Sequence, residues 1–351
     1  MEIDRISRIP VYAQLIEIIK GEIRQNNLKP GDKIPSEREF MKRYEVNHVT
    51  LSRAMRELVY QGVLYKQHGK GTFVAAPGGE KISISAIAVI VPSVSYFFPP
   101  VIRKIEDIAY HSNYNVIVCN TDGQAGKEGR YIQNFINNGC RGLIIKPVYD
   151  EDNQNYLKLA HIPFVMLDSP PKGIEADCIV VDDVKGGYDA TRHLIECGHK
   201  RIACIGTGDV FPRAAMDRLW GYDRALRDSG LEINRELVKI TQYLLKGNEE
   251  KFSGLIADML NFENRPTAIF ALNDFVAQKV FEIIRDKGIR VPEDIALVGY
   301  DDTDIAADVD LPLTSISLPK EEIGEKAILM LIDRIRAGNS GDYKKVVLNH
   351  R

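Results

Sequence analysis

The sequence predicts an α/β protein in two parts, a small helical unit that ends in a hairpin and a larger body of parallel sheets. Three observations predict it. The chain has 351 residues, more than one hydrophobic core usually organises. Apolar residues recur at helical spacing up to about residue 80, and beyond it short apolar runs alternate with helical segments. The charge also changes: residues 1–76 hold 13 lysines and arginines against 9 acidic residues, and the remaining residues hold 33 against 40.

The composition is typical of a globular protein in water. Apolar residues make up 44% of the chain and charged residues 27%. The longest purely apolar run, residues 86–91, is far below the ~20 residues of a membrane helix, and no signal sequence opens the chain. The five cysteines show no C-x-x-C spacing. We therefore expect a cytoplasmic protein with buried free thiols, no membrane contact, no metal and no cofactor.

Three helices and a hairpin account for the first part. A first helix begins at residue 10 or 11 and has one apolar face. Ser36 and Glu39 have the spacing of a capping box at the start of a second helix. Asn47 can cap a third helix, and two short strands can then pair within residues 63–74. This succession predicts a winged helix-turn-helix over residues 1–76.

The third predicted helix has a polar face that suits the major groove of DNA. Such a helix needs hydrogen-bond donors near its N-terminus for base edges, and cations for phosphates. A solvated helix face is the alternative, but further donors at the start of the second helix and at the hairpin tip favour DNA. The candidate DNA-contacting residues are Arg38, Asn47, His48, Thr50, Arg53, His68, Gly69 and Lys70.

A linker over residues 77–83 separates this unit from a body over residues 84–351. The body contains apolar runs from 84–91 to 295–299 that are continuous rather than alternating, which indicates parallel strands covered on both faces. These runs are too many for one small sheet. We therefore expect two lobes, each with a doubly wound parallel sheet, and a cleft between them.

Polar side chains follow several of the predicted strands. Lys146, Asp168, Asn273 and Asp301 come directly after apolar runs, where open α/β sheets bind their ligands. For any one of them a helix N-cap or a turn is the common alternative. Several at equivalent strand ends indicate a site, and carboxylates, an amide and a cation suit hydrogen bonding to vicinal hydroxyls.

The first part resembles the DNA-binding domain of GntR-family regulators. The resemblance covers residues 9–75 and is carried by residues 10–12, 28–39, 58–64 and 69–74. It implies DNA contacts at the candidate residues 38, 47, 48, 50, 68 and 69. The family usually has Ser or Thr followed by Arg where this chain has Asn47 and His48, and His does not bind guanine bidentately as Arg does, so the operator sequence stays open.

The body resembles the effector domain of LacI/GalR regulators, a periplasmic-binding-protein-like fold, most clearly in residues 193–203, 218–222, 266–274 and 291–302. A GntR-type head on such a body resembles the AraR subfamily of arabinose-responsive repressors. The resemblance implies a homodimer on double-stranded operator DNA and a small-molecule effector. The implied effector-binding residues are Lys146, Asp168, Arg218, Asn273 and Asp301, with Phe97, Phe98 and Asp122 less closely aligned.

Together these features predict a sugar-responsive transcriptional repressor that a monosaccharide such as L-arabinose releases from its operator. An anionic sugar is one alternative, because Lys146 is an unusual cation for a neutral-sugar site. An α/β enzyme with a DNA-binding appendage is another. The body has no complete G-x-G-x-x-G, no phosphate-binding P-loop and no G-x-S-x-G, which disfavours an enzyme.

Overall fold

The computed structural model describes residues 3–4, 10–60, 62–67, 70–75, 85–148, 162–207, 212–241, 249–261, 265–307 and 313–350. The chain divides into two compact units, Met1–Ile84 and Ser85–Arg351. The predicted linker, residues 77–83, lies outside the described residues. No helix within the described ranges is long and apolar enough to cross a membrane.

The described residues of the first unit form three helices and a two-stranded antiparallel hairpin. The elements are α1 (Val11–Gln25), α2 (Glu37–Tyr44), α3 (His48–Tyr60), β1 (Leu64–Gln67) and β2 (Gly71–Val74). The Ser36 hydroxyl accepts from the Glu39 backbone N–H, and the Glu39 carboxylate accepts from the Ser36 N–H at 2.7 Å, which is the predicted capping box. Asn47 accepts from the Thr50 N–H at 2.8 Å and so caps α3, as predicted.

This unit has its own hydrophobic core. The core side chains come from all three helices and from the hairpin, and they include Leu15, Ile19, Phe40, Leu51 and Leu58. The apolar faces that the helical spacing predicted are therefore the buried faces, because burial of an amphipathic face is what stabilises helices of this length.

In the described part of the body the strands form two sheets, and every pairing between them is parallel. The first lobe has β3 (Ala86–Val91), β4 (Asn115–Asn120), β5 (Gly142–Ile145), β6 (Phe164–Leu167), β7 (Asp177–Val181) and β13 (Lys345–Leu348), in the order β13-β7-β6-β5-β3-β4. The second lobe has β8 (Ile202–Thr207), β9 (Val238–Thr241), β10 (Ala268–Ala271), β11 (Ala296–Asp301) and β12 (Thr314–Ser317), in the order β12-β11-β10-β8-β9. The predicted fold class, with two doubly wound parallel sheets, is confirmed.

Seven helices of the body cover these sheets in the described residues. They are α4 (Phe98–His111), α5 (Ala125–Asn137), α6 (Asp183–Glu196), α7 (Pro212–Asp228), α8 (Glu249–Leu260), α9 (Asp274–Asp286) and α10 (Lys320–Arg336). Helix α10 follows a strand of the second lobe but packs against α4, β5 and β6 of the first. The chain therefore crosses between the lobes after β7 and again after β12.

Two sequence-based expectations need correction. The strands β9, β12 and β13 were not among the predicted strands, because their sequences have mixed rather than continuous apolar runs; β4, which also lies at a sheet edge, has such a run at residues 116–119 and was predicted. The cysteines are free, but Cys197 is exposed and Cys119 is half-buried, so the expectation of buried thiols holds only for Cys140, Cys178 and Cys204.

Candidate functional site

A cavity lies between the two lobes, at the carboxyl ends of β6, β7 and β11. Most of its wall is apolar, with five charged side chains among the apolar ones. It is lined by Phe97, Phe98, Lys146, Leu167, Asp168, Ile179, Val180, Val181, Asp183, Ala214, Arg218, Asp301, Leu318 and Ile323. An apolar cavity with a few converging charged groups is the usual form of a small-molecule site.

Arg218 is the centre of the charged groups on the second lobe. It is 8% exposed, its Nε donates to Asp183 Oδ1 at 2.8 Å, and its Nη2 lies 3.1 Å from Asp301 Oδ1. Its Nη1 donates to the Leu272 carbonyl, and its guanidinium lies 3.7 Å from the centre of the Tyr300 ring. Burial opposes the charged form, but the carboxylates outweigh it and raise the pKa of Arg218. Arg218 therefore stays cationic and fixed in place.

Asp301 titrates near neutral pH. Burial raises its pKa to about 7, Arg218 opposes the rise, and the carboxylates of Asp274 and Asp183 add to it. Its backbone φ is +97°, a conformation that side chains other than glycine rarely adopt. Such strained positions cluster at functional sites, where the surrounding structure holds them. The carboxylate is therefore held at the cavity wall at a cost in free energy.

A second ion pair lies on the first lobe. Lys146 Nζ donates to Asp168 Oδ2 at 2.5 Å, and both side chains are largely buried. Asp168 also accepts from the Ser169 N–H at 2.6 Å and has a φ of +147°. The charge of Lys146 is thus balanced within the cavity wall.

Two glycines bring the charged groups of the second lobe together. A Cβ on Gly187 would lie 2.2 Å from the Arg218 carbonyl oxygen, and a Cβ on Gly221 would lie 2.2 Å from the Val184 carbonyl oxygen. Helices α6 and α7 therefore pack backbone to backbone at this crossing, as only glycine permits. The close approach places Asp183, at the start of α6, beside Arg218 on α7.

The structure brings together six of the eight predicted effector-binding residues: Phe97, Phe98, Lys146, Asp168, Arg218 and Asp301. It places the other two elsewhere. Asn273 caps α9, where its Oδ1 accepts from the Val276 N–H at 2.8 Å, and Asp122 lies in an exposed turn with Lys127 Nζ 2.7 Å away. In the part of the chain that the structure describes, neither of these two lines the cavity. Asn273, which follows a strand, thus serves as a helix N-cap, the common alternative to a ligand-binding role for such a residue.

Asp183 is a charged cavity residue that the sequence analysis missed. It is the second residue after β7, with the helix cap Asp182 between them, whereas Asp168 directly follows β6 and Asp301 ends β11. The strand-end pattern that found those two carboxylates would have found it if extended by one residue.

Arg38, His48, Arg53 and Lys70, candidate DNA-contacting residues that the structure describes, have exposed side chains on the first unit. Arg38 is exposed on the first turn of α2, and Lys70 is exposed next to the hairpin strands. His48 Nε2 lies 3.7 Å from Glu37 Oε2, so the N-terminus of α3 lies beside that of α2. Arg53 is exposed, and its guanidinium lies 3.9 Å from the centre of the Tyr12 ring.

The remaining candidates differ in what the structure describes of them. Asn47 and Thr50 form the cap of α3. His68 and Gly69 lie outside the described residues. The described candidates place donors and cations at the N-terminal ends of the second and third helices, where a helix-turn-helix contacts DNA.

A winged helix-turn-helix followed by a two-lobed body with a largely apolar cleft and a few converging charged groups defines the class of ligand-responsive transcriptional regulators. The family model described as bacterial regulatory proteins, gntR family, matches residues 11–74, and the model of a periplasmic binding protein-like domain matches residues 191–350. The chain belongs to the transcriptional repressors that join a GntR-type DNA-binding domain to a LacI-type effector domain, a group that includes the arabinose metabolism repressors.

Relatives over most of the chain carry this assignment. The arabinose metabolism transcriptional repressor of Geobacillus stearothermophilus is 34% identical over 341 residues, which cover 93% of this chain and 92% of that protein. The corresponding repressor of Halalkalibacterium halodurans is 33% identical, covering 94% and 91%. A LacI family transcriptional regulator of Enterococcus faecium, solved with bound ribose, is 29% identical with a TM-score of 0.64, covering 76% of this chain and 96% of that one. Both of these curated relatives are named as transcriptional repressors.

Proposed function

We propose that this protein is a cytoplasmic, sugar-responsive repressor that leaves its operator when a neutral monosaccharide, L-arabinose first of all, binds in the cleft. Residues 1–76 bind DNA, and residues 84–351 bind the effector and form a homodimer. The observation that carries the proposal is the cavity between the lobes, where two buried ion-pair groups face an apolar wall. The names of the arabinose repressors that resemble this chain over nine-tenths of its length support the choice of sugar.

The chemistry of the cavity suits a polyol. Sugar hydroxyls both donate and accept hydrogen bonds, so they pair with carboxylates such as Asp301 and with donors such as Arg218. The apolar C–H face of a sugar ring packs against aromatic side chains, and Phe97 and Phe98 meet edge to face here with ring centres 5.1 Å apart. This pairing of charged and aromatic walls supports a small carbohydrate as the effector.

The charge of the cavity favours a neutral sugar over an anionic one. Its wall has two cations, Lys146 and Arg218, and three carboxylates, Asp168, Asp183 and Asp301. Lys146, the residue that suggested an acid, lies against Asp168, and Arg218 lies between the other two carboxylates. A phosphate or uronate would add negative charge to a wall whose two cations are already paired with carboxylates.

A second copy of the chain completes the proposed repressor. Strand β4 lies at the open edge of the first-lobe sheet, where Ile117 and Val118 are 41% and 39% exposed. Tyr110 of the preceding helix is 72% exposed. A two-fold axis along this edge would bury the same patch on both copies. Closure of the cleft around the sugar would then change how the two DNA-binding units match the operator half-sites.

A panel of ligands tests the proposal. The melting temperature of the purified chain is measured with L-arabinose, D-ribose, a sugar phosphate and a uronate, and operator binding is measured with a duplex selected by the chain from a random library. We expect L-arabinose to raise the melting temperature and to weaken DNA binding. If only the anionic sugars raise it, the neutral-sugar proposal is wrong. If the ligand is converted during incubation, the chain is an enzyme.

A further inference from the structure

Lys320 connects the two lobes at the edge of the cleft. It is the first residue of α10, a helix that packs against the first lobe. Its Nζ donates to the backbone carbonyl oxygens of Asp301 and Asp302 at 2.6 Å each. Asp301 is the last residue of β11, a strand of the second lobe, and Asp302 follows it. One ammonium group of the first lobe therefore contacts two consecutive peptide groups of the second.

The peptide groups that Lys320 contacts have an unfavourable backbone conformation. Asp301 has a φ of +97° and Asp302 a φ of +48°. A run of two such residues persists only where contacts hold it, because each residue by itself prefers a negative φ. Here two carbonyl oxygens converge on one cation, which favours this conformation by charge-assisted hydrogen bonds.

The second lobe holds the same turn from its other side. The Asp274 carboxylate accepts from the Thr303 N–H at 2.7 Å and from the Ser315 hydroxyl at 2.6 Å, and Ser315 Oγ accepts from the Asp302 N–H at 3.0 Å. These contacts fix the turn to its own lobe. Lys320 adds two hydrogen bonds from the first lobe. They are made to the carbonyl groups of Asp301 and Asp302, whereas the hydrogen bonds of Asp274 and Ser315 involve N–H and O–H groups.

We propose that Lys320 is a positioning residue for the effector site: it holds the backbone of the turn at Asp301 and Asp302 so that the Asp301 carboxylate faces Arg218 and the cavity. This role of Lys320 rests on the proposed function in one respect only, that the effector is a sugar. Lys320 itself is not among the residues that line the cavity, so its influence on the sugar passes through Asp301.

The charge of Lys320 gives the proposal a direct readout. Groups from four helices act on Asp301: Arg218 on α7 and Lys320 on α10 lower its pKa, while Asp183 on α6 and Asp274 on α9 raise it. Tyr300 precedes Asp301 on its own strand. Removal of the Lys320 charge should therefore raise the pKa of Asp301, both because a nearby cation is lost and because the turn that holds the carboxylate against Arg218 is released.

The test compares Lys320→Met, Lys320→Arg and a control, Lys326→Met, which removes an exposed lysine from the same helix. The titration of Asp301 in the full chain is followed by carboxyl ¹³C NMR, with the resonance assigned through Asp301→Asn. L-Arabinose affinity is measured on the same preparations by calorimetry. We expect Lys320→Met to titrate at higher pH than the wild type and to bind the sugar about tenfold more weakly, the effect of losing a charge-assisted hydrogen bond that orders the site.

Lys320→Arg should titrate and bind like the wild type, because a guanidinium also donates to two acceptors, and Lys326→Met should match the wild type in both measurements. If Lys320→Met titrates at the wild-type pH, the proposal is overturned. The NMR titration needs no effector. A wild-type chain that ignores L-arabinose would therefore count against the proposed sugar, while the titration would still decide the role of Lys320.

Discussion

Asp301 has the features of a carboxylate that binds a ligand: it lines the cavity, contacts Arg218 and has a strained backbone. Replacing it with Ala leaves the hydroxyls of the bound sugar without a charged acceptor. We expect Asp301→Ala to lose roughly 30- to 150-fold in L-arabinose affinity, or about 2–3 kcal/mol. Operator affinity should not change, since the DNA-binding unit has its own core. Calorimetry and gel-shift titration on one preparation measure both. A folded variant that no longer binds DNA would show instead that Asp301 belongs to the coupling between the units.

The same residue makes the stability of the protein depend on pH. Folding raises the pKa of Asp301 from 3.8 to about 7, chiefly by burial, so the folded chain holds the proton more tightly than the unfolded chain. Protonated Asp301 therefore adds to the free energy of unfolding. This contribution is largest below pH ~4 and is lost as the pH rises to about 7, by at most about 1.4 kcal/mol per pH unit. Asp301→Asn should reduce that loss, which urea unfolding at a series of pH values measures. Equal slopes for wild type and variant would assign the pH dependence to other groups.

The crossing of α6 and α7 tests how helix packing builds the site. A Cβ on Gly221 would lie 2.2 Å from the Val184 carbonyl oxygen and 2.5 Å from the Tyr188 nitrogen, both backbone atoms that cannot rotate away. Gly221→Ala should therefore destabilise the chain by about 1–3 kcal/mol or more and weaken sugar binding, because Arg218 moves with its helix. Gly254→Ala is the control, since an added Cβ there meets nothing within 4 Å. It should be neutral or slightly stabilising in the same chemical denaturation experiment. Equal stabilities of the two variants would show that the helices can separate without cost.

For the whole chain, the uneven distribution of charge predicts a salt-dependent affinity for DNA that depends on the first unit. Each phosphate contact that is lost should reduce the slope of log affinity against log salt concentration by about 0.9. We expect Arg38→Ala and Arg53→Ala each to reduce that slope, while His48→Ala changes the preferred base with little effect on it. Arg192→Ala, an exposed arginine of the body, is the control and should bind like the wild type. Binding isotherms from 50 to 200 mM salt test this, and an unchanged slope for Arg38→Ala would place that arginine on a solvated face.

The parts of the fold that the sequence predicted depend on short-range patterns. The capping box of Ser36 and Glu39 and the cap at Asn47 involve residues three apart, so the local sequence contains them completely. The run of β3 is fully buried because helices cover both faces of its sheet, and a continuous apolar run indicates this directly. The edge strands β9, β12 and β13 have no such run. Polar residues after strands were likewise visible as candidates, Asp168 and Asp301 among them.

Which of those candidates meet was decided by the tertiary structure. Arg218 contacts Asp183, which is 35 residues away in the sequence, and Asp301 from a third element. Their meeting depends on the contact of two helices of the second lobe at Gly187 and Gly221. Asn273 follows a strand as those carboxylates do, yet its side chain caps the next helix. The residue type and its position after a strand indicate which chemical groups are available. The direction of the side chain, however, depends on packing between segments that are far apart in the chain. Local sequence therefore predicted the groups, and only long-range packing selected those that form the site.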